Sequence, residues 1–404
     1  VTTAGAARVV VIGAGAAGLS TALCAAQLGA RSVTVIDKSY AGEGSSGLSA
    51  GVFNRQTFDG IDLEMRRYSL NVFDELESAG LLRLYRTGYI RVARTPEQFE
   101  RIRSTVARIT DGTSVSVSAA QIAQMVPGIR TDDITGGMYG PLDGHLDGPG
   151  LCAAYLAAGR ERGVVYRPRC EVLEADTSGA AITLKTTQGD IEADVVVNAA
   201  GSWLGRVSGL LGTTATTHNQ RHQIAQVQVP SLAGREVPMI QMYFPGSGDA
   251  GVYIRPEGER GNFIAGAHTY ELLEESADAD RYRRGVDDAF LESLAEGLMD
   301  RFPGWEDASL NGGWSGLYPN SLDGDFLVGP QLSDPRVVVV GGLGGMGLTV
   351  SAAVGRLGAE WAVHGEARTF AFADRLLPDR PSAIAVDAST DSGDAAGSPA
   401  TESG

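Results

Sequence analysis

The chain has 404 residues, 43% hydrophobic and 20% charged, which is enough apolar material for a large core and excludes wholesale disorder. Three widely spaced cysteines (Cys24, Cys152, Cys170) fit neither a disulfide scaffold nor a zinc cluster, and no apolar run reaches the ~18 residues that span a bilayer. A net charge of −16 argues against a nucleic-acid partner, which needs a basic face; a soluble, cytoplasmic chain with no membrane contact is expected.

Residues 8–12 (RVVVI) form a continuous β-branched run, as a strand buried on both faces would. Gly13, Gly15 and Gly18 follow, then an Ala/Leu-rich helical stretch that stops at Gly29. Residues 32–36 (SVTVI) read as a second strand ending at Asp37. Residues 39–52 are a Gly/Ser-rich loop, and 61–79 carry helical spacing. Short strands and a charged helix near 96–110 fill the block 81–145, and 149–162 reads as a helix with Pro149 in its first turn. Residues 164–200 alternate strands and turns and end in DVVVNAAG; 217–270 is strand-like; 281–301 reads as a helix. Residues 336–363 repeat the opening pattern of strand, glycine cluster and helix. The tail from 384 to 404 is small and polar and is expected to be disordered.

A strand-to-helix turn of this kind needs glycine because the chain reverses sharply, the backbone approaches a pyrophosphate, and the helix packs close on the sheet. The phosphates then sit at the helix N-terminus, where free N–H groups and the dipole favour negative charge. Asp37, 19 residues after Gly18 at the end of the second strand, can accept hydrogen bonds from a ribose. Lys38 beside it could reach a ribose substituent, although a solvated lysine is the ordinary reading. Strand–glycine–helix elements recur at 195–204 and 337–356. A site closed by segments from both ends of the chain suits a large, permanently held cofactor, and FAD is the natural candidate.

In order along the chain, VVVIGAGAAGLSTA (10–23), GEGSSGLSAGV (42–52), HLDGPGL (145–151), DVVVNAAGSW (194–203), GVYIRPEGERGNFIAG (251–266), GGWSGLYPNSLDGDFLVGP (312–330) and VVVVGGLGGMGLTVSAAVGRLGAE (337–360) resemble the D-amino acid oxidase and sarcosine oxidase superfamily of FAD-dependent amine oxidoreductases. The resemblance implies an α/β fold: a discontinuous Rossmann-like FAD-binding domain (1–80, 145–215 and 320–375) and an α+β substrate domain (81–144 and 216–319) with an antiparallel sheet over the flavin. It places Gly13, Gly15, Ala16, Ala17, Gly18, Asp37 and Lys38 at the ADP half of FAD. Ser45, Ser46, Leu48, Ser49, Ala50 and Gly51 would lie beside the flavin and ribityl chain. Val172 would reach the adenine region, and Ala200, Gly201 and Trp203 the pyrophosphate. Gly342, Gly344, Gly345, Met346, Gly347, Leu348 and Thr349 would border the flavin, with backbone N–H groups aimed at its pyrimidine edge.

Departures from the family pattern sharpen the expectation. Leu48 stands nearest the His that binds flavin covalently in some relatives, and Gly316 where others have Cys, so a non-covalent cofactor is expected. Ile264 occupies the place of the oxygen-activating lysine of sarcosine oxidases, and no lysine follows Lys185. Tyr318 stands where D-amino acid oxidases carry arginine, and Thr349 where monomeric sarcosine oxidases have a carboxylate-binding lysine.

The expected activity is FAD-dependent oxidation of a secondary amine or N-substituted amino acid by hydride transfer, giving an imine that hydrolyses, with O2 or another acceptor taking the electrons. A 2-hydroxy acid or polyol dehydrogenase, and a flavin-holding subunit inactive without a partner, remain alternatives on the same motifs. Arg55 is the first candidate to pair with a substrate carboxylate, because a planar fork suits that task; a salt bridge is its ordinary alternative. Arg255 is the second. Tyr318 and Tyr253 are candidates for substrate contact. Strand alternation sends either His222 or the Arg221–Gln223 pair toward the pocket. His145, His218, His268 and His364 show no ligand spacing, so no metal is implied.

Overall fold

The computed structural model describes residues 7–58, 60–109, 112–244, 251–268 and 277–384. The small polar tail beyond 384 lies outside them.

The β-branched run Arg8–Ile12 is the inner strand of a six-stranded sheet. Its neighbours are Ser32–Ile36 on one side and Val195–Asn198 on the other, both parallel to it. Val165–Arg167 and Val337–Gly341 extend the sheet in parallel, and Leu327–Pro330 closes one edge antiparallel. Parallel strands need both faces covered, which explains their unbroken Val/Ile character. Helices Ala16–Gln27 and Ser351–His364 contribute Leu19, Leu23, Val354 and Leu357 to the core against Val9, Val11 and Val340. They approach closely because Gly355 has no side chain: a Cβ there would lie 2.3 Å from Ser20 Oγ.

An eight-stranded sheet forms the second layer, in the order Ser309–Asn320, His218–Gln228, Asn262–His268, Gly251–Pro256, Met239–Gln241, Tyr89–Ala93, Gly136–Gly140, Val115–Val117. It is antiparallel except where Met239–Gln241 meets Tyr89–Ala93. One face buries Val227, Ile254, Phe263 and Ala265 against Phe290, Leu294 and Leu298 of helix Asp288–Arg301. Alternation sends Tyr253, Arg255 and His222 to the other face. The molecule is therefore a Rossmann-like layer facing an α+β layer.

Helices Gly60–Ser78, Pro96–Arg108 and Gly148–Arg160 fall where the periodicity puts them. Thr95 and Gln98 form a capping box on the second, and Asp147 Oδ2 accepts the Gly150 N–H at 2.7 Å to cap the third. The expected helix 281–301 begins only at Asp288. Arg221 explains the difference. Its guanidinium takes the carbonyls of Arg283 (2.8 Å) and Gly285 (2.7 Å), and Gln223 Oε1 accepts the Asp287 N–H at 2.7 Å. Those backbone groups are spent on a neighbouring strand, so residues 281–287 remain a loop.

Candidate functional site

Gly13 ends the first strand with φ +111 and donates its N–H to the Ile36 carbonyl at 2.8 Å. A Cβ on it would lie 2.3 Å from the Ala199 carbonyl oxygen, and one on Gly18 would lie 2.1 Å from the Gly13 oxygen. Only glycine lets these three backbones meet. Helix Ala16–Gln27 starts at once; its N-cap, Gly15, has no side chain to cap it, and Ser46 Oγ accepts only the Ala16 N–H, at 3.1 Å, so the rest of the first turn presents donors and positive dipole to the space in front. Asp37 is held rather than free: Oδ2 accepts the Ala14 N–H and Oδ1 the Ser39 N–H, both at 2.7 Å. Burial raises its pKa, against the pull of those two bonds.

The turn opens onto a cavity of about 640 Å³, within the range of small-molecule sites. Its wall gathers Gly13, Gly15, Ala16, Ala17 and Gly18 from the first turn, with Asp37 and Lys38 after the second strand. Ser45, Ser46 and Ser49 come from the Gly/Ser loop, Val172 from a strand start, and Ala200, Gly201 and Trp203 from the turn after Val195–Asn198. Gly342, Gly344, Gly345, Gly347 and Leu348 complete it from near the C-terminal end of the described chain. Leu48, Ala50, Gly51, Met346 and Thr349, expected at the flavin, are not among the residues that line the cavity. Gly51 (φ +69) takes its place because a Cβ there would meet the Leu146 carbonyl oxygen at 2.0 Å. Thr349 Oγ1 donates to the Val52 carbonyl at 2.8 Å, and Met346 Sδ accepts from Arg66 Nη2 at 3.4 Å. Leu48 packs on Gly316, where a Cβ would be 3.2 Å from the Leu48 Cβ, and Trp314 Nε1 donates to its carbonyl at 2.9 Å. The two positions that the resemblance assigns to covalent flavin attachment are thus side by side, and Leu48 and Gly316 offer no nucleophile. A helix start with a glycine N-cap, a glycine cradle and an acid at the second strand together fit the pyrophosphate and ribose of FAD.

Three of the catalytic candidates come together above this cavity. Tyr318 lines it, with its ring against Gly345, where a Cβ would lie 2.5 Å from the ring. His222 stacks on Tyr318 at 3.7 Å between centroids, and its Nε2 shares a 2.7 Å hydrogen bond with Gln220 Oε1. Tyr253 lies over Gly266, whose missing side chain makes room for the ring. Burial raises the pKa of both tyrosines, and the nearby Tyr318 and Tyr243 add to it for Tyr253. Both hydroxyls therefore stay protonated. Arg255 and Arg55 are engaged elsewhere. Arg255 is ion-paired to Glu257 and donates to the Pro256 carbonyl at 3.0 Å, and burial lowers its pKa. Arg55 Nη1 lies 3.8 Å from Asp143 Oδ1.

Two acids that the sequence did not single out matter here. Asp280 lies on the loop between Ala277 and the helix at Asp288 and lines the cavity. Its Oδ1 accepts from Lys38 Nζ and Trp203 Nε1, both at 2.8 Å, and its Oδ2 pairs with Arg206. Three donors from the Rossmann-like layer therefore fasten one carboxylate of the opposite layer across the cavity mouth. Asp280→Asn is expected to release bound FAD roughly 3- to 10-fold faster, a modest factor because the pairs are half exposed. Recovery of free flavin fluorescence after dilution measures this, and an unchanged release rate would contradict it.

Asp143 is fully buried; Oδ1 accepts the Arg55 N–H at 3.0 Å and Oδ2 accepts from Gln56 Nε2 at 3.3 Å. Burial nevertheless pushes its carboxyl up to about 7. Between the ordinary carboxyl value of about 4 and 7, the unfolded chain has lost this proton while the folded chain keeps it. This group's contribution to stability is thus fully present below about pH 4 and is lost as pH rises through 7. Asp143→Asn is expected to flatten that slope and to raise the melting temperature at pH 8 by about 3 °C. A variant less stable than the parent at pH 8 would show that the ionised carboxylate is favoured after all.

A family model described as FAD dependent oxidoreductase matches residues 8–361. Dimethylglycine dehydrogenase, mitochondrial, from Rattus norvegicus is 27% identical over 382 residues, which are 89% of this chain and 43% of that protein. Glycine oxidase from Geobacillus kaustophilus (strain HTA426) is 24% identical over 339 residues, covering 81% of this chain and 85% of the relative. The chain spans less than half the length of the mitochondrial dehydrogenases it matches. Among solved structures, L-proline dehydrogenase from P. horikoshii superposes with a TM-score of 0.81 at 21% identity, over 93% of this chain and 98% of that one.

Proposed function

The chain belongs to the FAD dependent oxidoreductase family, and from that premise we propose that it oxidises a secondary amine or N-substituted amino acid to an imine, with FAD held without a covalent bond. Two relatives are named for N-substituted amino acids, dimethylglycine and sarcosine, and a third for the unsubstituted glycine. The observation that carries the reading is the convergence of three separate glycine segments on one cavity, beneath a sheet face that offers Tyr318, Tyr253 and His222.

Bound FAD supplies the hydride acceptor for the carbon beside the amine nitrogen. The chain's own part is to bind, orient and keep water out. Gly13, Gly15 and Gly18 would hold the pyrophosphate, Asp37 the ribose, and the backbone of 344–348 the flavin edge. Tyr318 and Tyr253, kept protonated by burial, would donate hydrogen bonds to the substrate above. His222, stacked on Tyr318 in that cluster, would accept the ammonium proton at a ring nitrogen. Loss of that proton frees the nitrogen lone pair to form the C=N bond as the hydride departs. Water then adds to the imine and releases a carbonyl compound and the smaller amine. Ile264, buried in the roof sheet, supports an acceptor other than O2.

Steady-state turnover with a panel of N-alkyl amino acids tests the proposal. Dye reduction faster than oxygen consumption, with equal amounts of carbonyl product, is expected. Turnover of hydroxy acids and of no amine would overturn it.

A further inference from the structure

Five described arginines are buried: Arg66, Arg91, Arg221, Arg255 and Arg301. Four have a carboxylate. Arg66 meets Asp62 at 2.8 Å, Arg221 meets Asp287 and Arg301 meets Asp133 at 2.6 Å, and Arg255 meets Glu257. Arg91, 7% exposed, has no acid among the described residues. Its Nη2 makes two long contacts, to the Gln56 carbonyl (3.2 Å) and the Tyr89 hydroxyl (3.4 Å), and its Nε–H is buried without an acceptor. Shortage of acids is no explanation in a chain with 49 of them against 33 basic residues. A buried guanidinium without a counter-charge is costly, and its fork is shaped for a planar oxyanion.

Its position says which oxyanion. Gly266, Tyr253, Gln241 and Arg91 are successive cross-strand partners, so their side chains belong to one sheet face. Arg91 sits two strands from Tyr253, about 10 Å along the sheet. The segment 54–56 links Arg91 to the flavin-side loop: Gln56 accepts from Arg91, and Asn54 accepts from Arg66, which touches Met346. Arg55, the residue the sequence favours for this task, already faces Asp143.

We propose that Arg91 receives the carboxylate of the substrate. The inference rests on the amine-oxidising reading above and narrows it: the substrate is an amino acid with a substituted nitrogen, and Arg91 is the residue that distinguishes it from a simple amine.

The test uses FAD-loaded protein, with Arg91→Gln, Arg91→Lys and Arg55→Gln beside the parent. Acetate and propionate, which cannot be oxidised, are titrated while the flavin absorbance is followed. The parent is expected to show a saturable perturbation. Arg91→Gln should weaken it about 30-fold or more, with partial recovery in Arg91→Lys. In turnover, Arg91→Gln should lose that factor in kcat/KM for an N-methyl amino acid and little for its methyl ester. Equal losses for acid and ester would mark a purely structural role and overturn the proposal. So would a carboxylate affinity that falls in Arg55→Gln and not in Arg91→Gln. If Arg91→Gln does not fold, Arg91→Lys decides, since a misplaced charge must still shift the affinity. A parent that binds carboxylates through Arg91 yet oxidises no amine would sink the proposed activity, and the substrate class with it, and leave only the carboxylate site at Arg91.

Discussion

Gly13→Val is expected to give a protein that purifies without flavin. Its φ of +111 is closed to a β-branched residue, and the new Cβ would lie 2.3 Å from the Ala199 oxygen and 2.8 Å from the Ala199 carbonyl carbon. Both obstacles are backbone atoms of the neighbouring parallel strand's exit turn, so no side-chain rotation relieves them. The Gly13 turn must move away, and the start of helix Ala16–Gln27 moves with it, off the position of the pyrophosphate. The strain also costs about 2–4 kcal/mol of stability. Gly29→Ala is the control: its φ is also positive (+84), but no described heavy atom lies within 4 Å of the added Cβ. It should cost about 1 kcal/mol and keep its flavin. Visible absorbance and thermal melts read both outcomes, and a Gly13→Val protein with one FAD per chain would refute the cradle.

Gly266→Val should have the opposite signature: flavin retained, turnover lost. The position lies in the roof sheet, outside the cofactor wall. A Cβ there would meet the Tyr253 ring at 2.4–2.6 Å. Valine suits a strand, so the backbone holds and the ring is what must shift. Displacing a group that orients the substrate by about 1 Å can cost about 100-fold in rate. A loss of about that size in kcat/KM is expected, at unchanged flavin content. Near-parental kcat/KM would mean that Tyr253 does not contact the substrate.

The cofactor side of this architecture could be read in the sequence because its constraints are local. Each glycine turn joins a strand and a helix adjacent in the chain, and the β-branched runs announce buried parallel strands. The roof was harder. Arg91 and Gln241 face each other only because Tyr89–Ala93 and Met239–Gln241 pair across 150 residues of chain, and the latter strand is three residues long. Alternation left open whether His222 or Arg221 faces the pocket; in the structure Arg283, Gly285 and Asp287 hold Arg221 on the far side. That interaction also delays the helix expected from 281 until Asp288, and Asp280, just before it, finds its partners Lys38, Trp203 and Arg206 far away in the chain. Asp143 gave no local signal, because its partners, Arg55 and Gln56, are nearly 90 residues away.

The most direct test is a single anaerobic mixing of the flavin-loaded protein with an N-methyl amino acid. The flavin band should bleach in one turnover, with one carbonyl product formed per flavin. A band that survives every amine, or that bleaches only with hydroxy acids, would contradict the account.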